Sequence, residues 1–149
     1  MGRLALSICI LVLAGWASPA AAFLSGPDET LAAARDSVVQ ALSSEGRAGR
    51  LAPLLPPGFK VHLSLRTIGP ARGLYEGGQL IVLLDRWLAA CGKHHFRAAP
   101  PGSEAPAGPQ IIRGTLICEG SGGTVRIDLH FVLERAGDSW RLSEMWEAG

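Results

Sequence analysis

The chain has 149 residues, 48% of them hydrophobic and 18% charged, with a formal net charge of +1 at pH 7. That length fits one domain, and so apolar a chain is not wholly disordered. Near-neutral charge gives no basic field to draw nucleic acid, and a single long apolar run, at the N-terminus, argues against a multi-span membrane protein.

Residues 1–22 read as an export signal. Arg3 supplies a positive start, Leu4 to Ala14 are apolar and uncharged, and Pro19 precedes Ala20-Ala21-Ala22. This is the layout of a secretory signal peptide cut between Ala22 and Phe23. The alternative, an uncleaved anchor helix, fits less well, because the apolar stretch is shorter than the roughly 20 residues that span a bilayer. Cys9 comes too early for a lipid attachment site and follows Ile8, where a small residue is needed. The expected mature chain is residues 23–149, a single domain in the periplasm or outside the cell, with no membrane attachment after cleavage. Losing Arg3 leaves basic and acidic residues equal in number.

Export changes the meaning of the two remaining cysteines, Cys91 and Cys118. In an oxidising compartment they can pair; otherwise they are separate buried thiols acting as small hydrophobes. A bridge would close a loop of about 27 residues and contribute about 3 kcal/mol in the chain-entropy model.

A first helix opens near Asp28, read as its cap, with Glu29 behind it. Leu31, Ala34, Val38, Ala41 and Leu42 form its buried stripe. Gly46 and Gly49 interrupt it, and Arg50 to Leu55 predict a short second helix stopped by Pro56-Pro57-Gly58. Phe59 to Leu65 alternates as a half-buried strand. Gly69-Pro70 and Gly73 mark a loop. Tyr75 to Cys91 returns to helical spacing, with Leu80, Leu83, Leu84, Trp87, Leu88 and Cys91 on one side and Gly92 as the stop. His94 to Arg97 predicts a short strand. Residues 98–109, rich in Ala, Pro, Gly and Ser, predict an irregular surface loop.

Three strands then close the chain: Ile111 to Cys118, Thr124 to Glu134, and Ser139 to Glu147. Gly120 to Gly123 and Ala136-Gly137-Asp138 supply the turns, so these strands are expected to be antiparallel neighbours. The last strand places Trp140, Leu142, Glu144 and Trp146 on one side. No βαβ alternation occurs, which argues for α+β.

The residues that carry a resemblance are Gly46-Arg47 with Leu51, the strand Lys60-Val61-His62-Leu63, and Tyr75 with Gln79 heading the long helix. Trp87, Phe96, Gly114-Thr115-Leu116 and Trp140-Arg141-Leu142 complete the set. Over residues 28–147 the chain resembles the nuclear-transport-factor-2-like (NTF2-like, cystatin-like cone) superfamily, and within it an uncharacterised bacterial branch known as a domain of unknown function. The resemblance implies a curved antiparallel sheet of about four to five strands packed on two to three helices. It implies no single activity, because the superfamily contains enzymes, ligand binders and assembly modules.

Candidate chemistry is sparse. Arg126, Asp128 and His130 share one strand face by alternation, so Asp128 could orient His130 as a base. The blander reading is a solvated polar face. Glu144 is a buried base in an apolar pocket if its face lines the cone, and an ordinary exposed carboxylate if the strand is bulged near its end. His94 and His95 point to opposite faces and cannot easily share an ion, so no metal and no cofactor are expected.

The reading that results is an exported, non-catalytic domain binding a small apolar ligand or a protein partner. Its pocket is expected between the Leu80–Cys91 helix and the sheet. The candidate pocket residues are Tyr75, Trp87, Leu116, Phe131, Trp140, Glu144 and Trp146. Two alternatives stay open: a hydrolase or isomerase using Asp128/His130 or Glu144 as base, and a structural homodimer paired through the open sheet face.

Overall fold

The computed structural model describes residues 27–103 and 107–149. The expected signal, residues 1–22, lies outside the described residues. Helix α1 spans Pro27–Ala41, a 3-10 helix spans Ala48–Leu54, and strands β1 and β2 span Lys60–Leu65 and Ala71–Glu76. Helix α2 spans Gly77–Cys91, followed by β3 (Lys93–Ala98), β4 (Gln110–Gly120), β5 (Gly123–Ala136) and β6 (Ser139–Glu147). No helix among the described residues is long and apolar enough to cross a membrane.

The strands form one six-stranded sheet in the order β2-β1-β6-β5-β4-β3. This corrects the expected four to five strands and the expected all-antiparallel pairing. The additional strand is β2, and β1 runs parallel to β6, with His62 beside Glu144 and Ser64 beside Trp146. All other neighbours are antiparallel.

The expected helix from Tyr75 and loop around Gly73 give way to strand for a local reason. Residues 71–76 alternate between half-buried and exposed, never fully buried, because β2 is an edge strand. Gly73 takes φ 147° inside that strand, a conformation side chains avoid. Helix α2 starts only after Glu76, whose backbone N–H donates to Gln79 Oε1 at 3.3 Å, one half of a capping box. Helix α1 likewise starts at Pro27, so Asp28 lies in the first turn rather than at the cap.

The helices cover one face of the sheet and bury its apolar side chains. Val61, Leu63 and Leu65 of β1, Leu116 of β4, Leu129, Phe131 and Leu133 of β5, and Leu142 and Met145 of β6 are all essentially inaccessible. Against them lie Val38 and Leu42 of the α1 region, Leu51 of the 3-10 helix, and Leu80 and Leu84 of α2. Asp85 of α2 accepts a 2.9 Å hydrogen bond from the Ala48 backbone N–H and so anchors the start of the 3-10 helix. Cys91 and Cys118 form a disulfide with a Cα–Cα distance of 5.2 Å, fastening the end of α2 to β4. The opposite face carries no helix among the described residues.

Candidate functional site

Strand β6 decides where the candidate residues fall. Opposite it on β5, Val132 pairs with Glu144 but Leu133 pairs with Leu142, so Ser143 is an extra residue. It is buried, and its hydroxyl donates to the Val132 carbonyl at 3.2 Å. A bulge of this kind reverses the alternation beyond it. Trp140 and Leu142 therefore face the core before the bulge, and Met145 and Glu147 after it. Glu144 is exposed and Trp146 half-buried on the opposite face. The expected alignment of Trp140, Leu142, Glu144 and Trp146 on one side does not hold, and Glu144 is no buried base.

The seven candidate pocket residues separate accordingly. Leu116 and Phe131 are packed inside the core, where Phe131 meets Phe96 edge-on at 6.0 Å. Trp140 is buried and borders a separate small cavity of about 200 Å³ with Pro53 and Leu54, with the Arg135 guanidinium 5.5 Å from its ring centre. Glu144 and Trp146 border a shallow depression of about 370 Å³ on the open sheet face, together with His62, Ser64, Arg66 and Arg72. Tyr75 and Trp87 alone share a large cavity.

The trio on β5 shares the open sheet face, and its members have other neighbours. Asp128 accepts from the Thr115 hydroxyl at 2.6 Å, across the β4–β5 pair. His130 packs edge-on against Trp146 at 5.2 Å. Arg126 is exposed. His94 Nδ1 lies 2.8 Å from the Gly92 carbonyl oxygen, while His95 is exposed on the other face of β3. Among the described residues no three His, Cys, Asp or Glu side chains stand close enough to hold a metal ion.

The cavity that holds Tyr75 and Trp87 is a groove of about 1070 Å³ between the β1–β2 turn, the β2 edge and α2. The turn contributes Ile68, Gly69 and Pro70, and β2 contributes Ala71, Arg72, Leu74 and Tyr75. From α2 come Gly78, Val82, Arg86 and Ala90 on one row and Gln79, Leu83 and Trp87 on the next. These are rows at four-residue spacing, so they face one way. Leu74 is 63% exposed and Val82 52% exposed, and both lie in this groove. Trp87 is buried, and its indole N–H has no acceptor among the described residues. No Asp, Glu or His lines the groove.

The far wall of the groove is held by a residue that sequence reasoning passed over. Glu147, at the end of β6, is buried, and its carboxylate accepts from both the backbone N–H and the hydroxyl of Thr67. Arg66 donates to the Glu147 carbonyl at 3.1 Å. The turn that lines the groove is therefore tied to β6. The signal that finds Glu147 is the bulge, which no pattern of residue types in β6 announces.

No family model and no curated protein matches the sequence. Solved structures share its fold. LinA superposes with a TM-score of 0.59 at 15% identity, covering 81% of this chain and 84% of that one. A protein from Acidithiobacillus ferrooxidans described as a polyketide cyclase gives 0.57 at 13% identity, covering 85% and 89%. A DUF4783 family protein from Bacteroides fragilis gives 0.56 at 17% identity, covering 74% and 93%. The fold is thus NTF2-like, as the resemblance implied. At such identities the likeness extends to the fold alone, and chemistry must be argued from the site.

Proposed function

We propose that this chain is an exported, non-catalytic binding domain whose apolar ligand, or apolar segment of a protein partner, seats in the groove between α2 and β2. The observation that carries this reading is the placement of exposed apolar surface. Three large hydrophobic side chains are strongly exposed among the described residues, Leu74, Val82 and Val125, and two of them flank one groove. Contiguous apolar surface around a concavity marks a binding site, whereas single exposed hydrophobes are ordinary. Burying Leu74 and Val82 would each contribute about 1–2 kcal/mol at roughly 25 cal/mol per Å².

The lining argues for binding rather than turnover. General acid–base chemistry needs a titratable group within hydrogen-bond reach of the substrate. The groove lining holds no carboxylate and no imidazole, and the Tyr75 phenol is its one side chain able to exchange a proton, with no base beside it in the lining. Candidate bases elsewhere lie on the open sheet face, where Asp128 is occupied by Thr115. The disulfide between Cys91 and Cys118 supports export, because such bridges persist in oxidising compartments.

The test is native mass spectrometry of the protein recovered from the periplasm of an expression host, beside its Leu74→Asp/Val82→Asp variant. The reading expects a chain beginning at Phe23 with added mass that is lost on denaturation, and a variant at the bare chain mass. Added mass equal in both proteins would place the ligand elsewhere, and a chain retaining residues 1–22 would remove export.

A further inference from the structure

We infer that the depression on the open sheet face is a saccharide-binding site, taking an uncharged sugar ring against Trp146. It lies on the side of the sheet away from the core and stands or falls separately from the groove.

Strand register builds the depression. Across the sheet, Arg72 of β2 pairs with Ser64 of β1, Ser64 with Trp146 of β6, and Trp146 with His130 of β5. Two residues along the strands, His62 pairs with Glu144. Alternation puts both rows on the open face, opposite the buried Leu63 and Met145. Ser64 is the smallest side chain in its row, so a hollow opens above it between Arg72 and Trp146. Those two stand two strands apart, about 10 Å at roughly 4.8 Å per strand, and the two rows are about 7 Å apart along the strands. A single hexose ring lies within those bounds. The volume of about 370 Å³ falls at the small end of the roughly 300–1,000 Å³ of small-molecule sites.

The lining decides the class of ligand. Trp146 is half-buried, with the His130 ring edge-on against it on the β5 side and the hollow over Ser64 on the other. Its indole offers apolar surface to the C–H face of a sugar. The polar groups beside it are of both kinds. Glu144 is an acceptor only, Arg72 a donor only, and Ser64 and His62 can do both. None of these four side chains makes a hydrogen bond or ion pair among the described residues. Arg66 is taken up by the Glu147 carbonyl and the Glu147 carboxylate by Thr67, which leaves Glu144 and Arg72 as the charges facing a ligand. An anion drawn to Arg72 meets Glu144 in the same hollow, and a cation drawn to Glu144 meets Arg72. An apolar ligand would strip water from both without replacing it. Hydroxyl groups, each donor and acceptor, satisfy both and bring no charge.

The test is an NMR titration of the labelled mature protein, whose tryptophans are Trp87, Trp140 and Trp146. Trp146→Phe identifies the Trp146 indole N–H signal by its loss. The probes are three neutral trisaccharides, maltotriose, cellotriose and triacetylchitotriose, with the glucosamine trimer, the galacturonate trimer and free alanine as charged comparisons. At least one neutral trisaccharide is expected to shift the Trp146 indole and the amides of residues 62–66 and 144–147 saturably at millimolar concentration. Both charged trimers are expected to bind more weakly. Glu144→Ala and Arg72→Ala change exposed residues and should melt as wild type does, while each weakens the sugar about tenfold, as loss of a hydrogen bond to a charged group does. The inference is overturned if no neutral trisaccharide moves these signals in protein that melts normally, or if both alanine variants bind as wild type does. Tighter binding of either charged trimer would overturn the uncharged ligand, and stronger shifts with free alanine would assign the two charges to a zwitterion instead.

Discussion

The carboxylate of Glu147 receives both polar hydrogens of Thr67, from its backbone N–H at 3.0 Å and its hydroxyl at 2.9 Å. This pair joins the last residue of β6 to the turn that forms the far wall of the groove. Glu147→Gln keeps one acceptor oxygen and is expected to cost about 1 kcal/mol. Glu147→Ala leaves the Thr67 donors unpaired and is expected to cost about 2–3 kcal/mol. Urea denaturation measures both values, and amide exchange at Thr67 should accelerate most in the alanine variant. Equal stability of all three proteins would show that the bond does not restrain the turn.

Asp85 acts across elements, accepting from Ala48 at the start of the 3-10 helix. Asp85→Ala removes that acceptor and is expected to cost about 1 kcal/mol, the usual worth of a helix-start acceptor. Asp85→Asn keeps an oxygen in place and should cost a few tenths of that. Identical melting of the two variants would mean the carboxylate serves only as surface charge.

Gly114 on β4 leaves room for the Phe96 ring. A Cβ there would collide with that ring and stand 2.7 Å from the Arg97 carbonyl oxygen. Gly114→Ala is expected to cost about 1–3 kcal/mol through overpacking. Adding Phe96→Leu should recover part of the loss, a non-additivity expected of residues in contact. Strict additivity in the double-mutant cycle would refute the steric account.

The disulfide holds the end of α2, and Ala90 beside it lines the groove. Replacing both Cys91 and Cys118 with Ala should cost about 3 kcal/mol. In a domain of this size that lowers the midpoint by about 10 °C. Affinity for an apolar probe such as dodecanol should fall as well, because the helical wall is no longer fastened to β4. Unchanged affinity would show that α2 keeps its place through packing alone.

The strongest periodicities made the framework legible from sequence. The stripe Ala34, Val38, Ala41 and Leu42, the alternation from Ile127 to Leu133, and the turn at Gly137 all appear where their patterns place them, whereas Val125, expected on the buried face, is exposed. Strand β2 was not legible, since an edge strand offers one half-buried face and here contains Gly73 and Arg72. The parallel pairing of β1 with β6 is a tertiary contact without a local signal. Within the site, Tyr75 and Trp87 were legible as aromatics at groove-facing positions. Glu144 and Trp146 were displaced by Ser143, a single inserted residue that reverses the phase of β6. Leu74 and Val82 escaped notice because exposure of an apolar side chain is visible only once the fold exists.

The most direct test of the groove is an amide chemical-shift map. Uniformly labelled mature protein is titrated with dodecanol, an uncharged apolar probe. Saturating shifts confined to residues 68–90 are the predicted result. Shifts centred on the open sheet face, around Arg113, His130 and Trp146, with residues 68–90 unmoved, would contradict it.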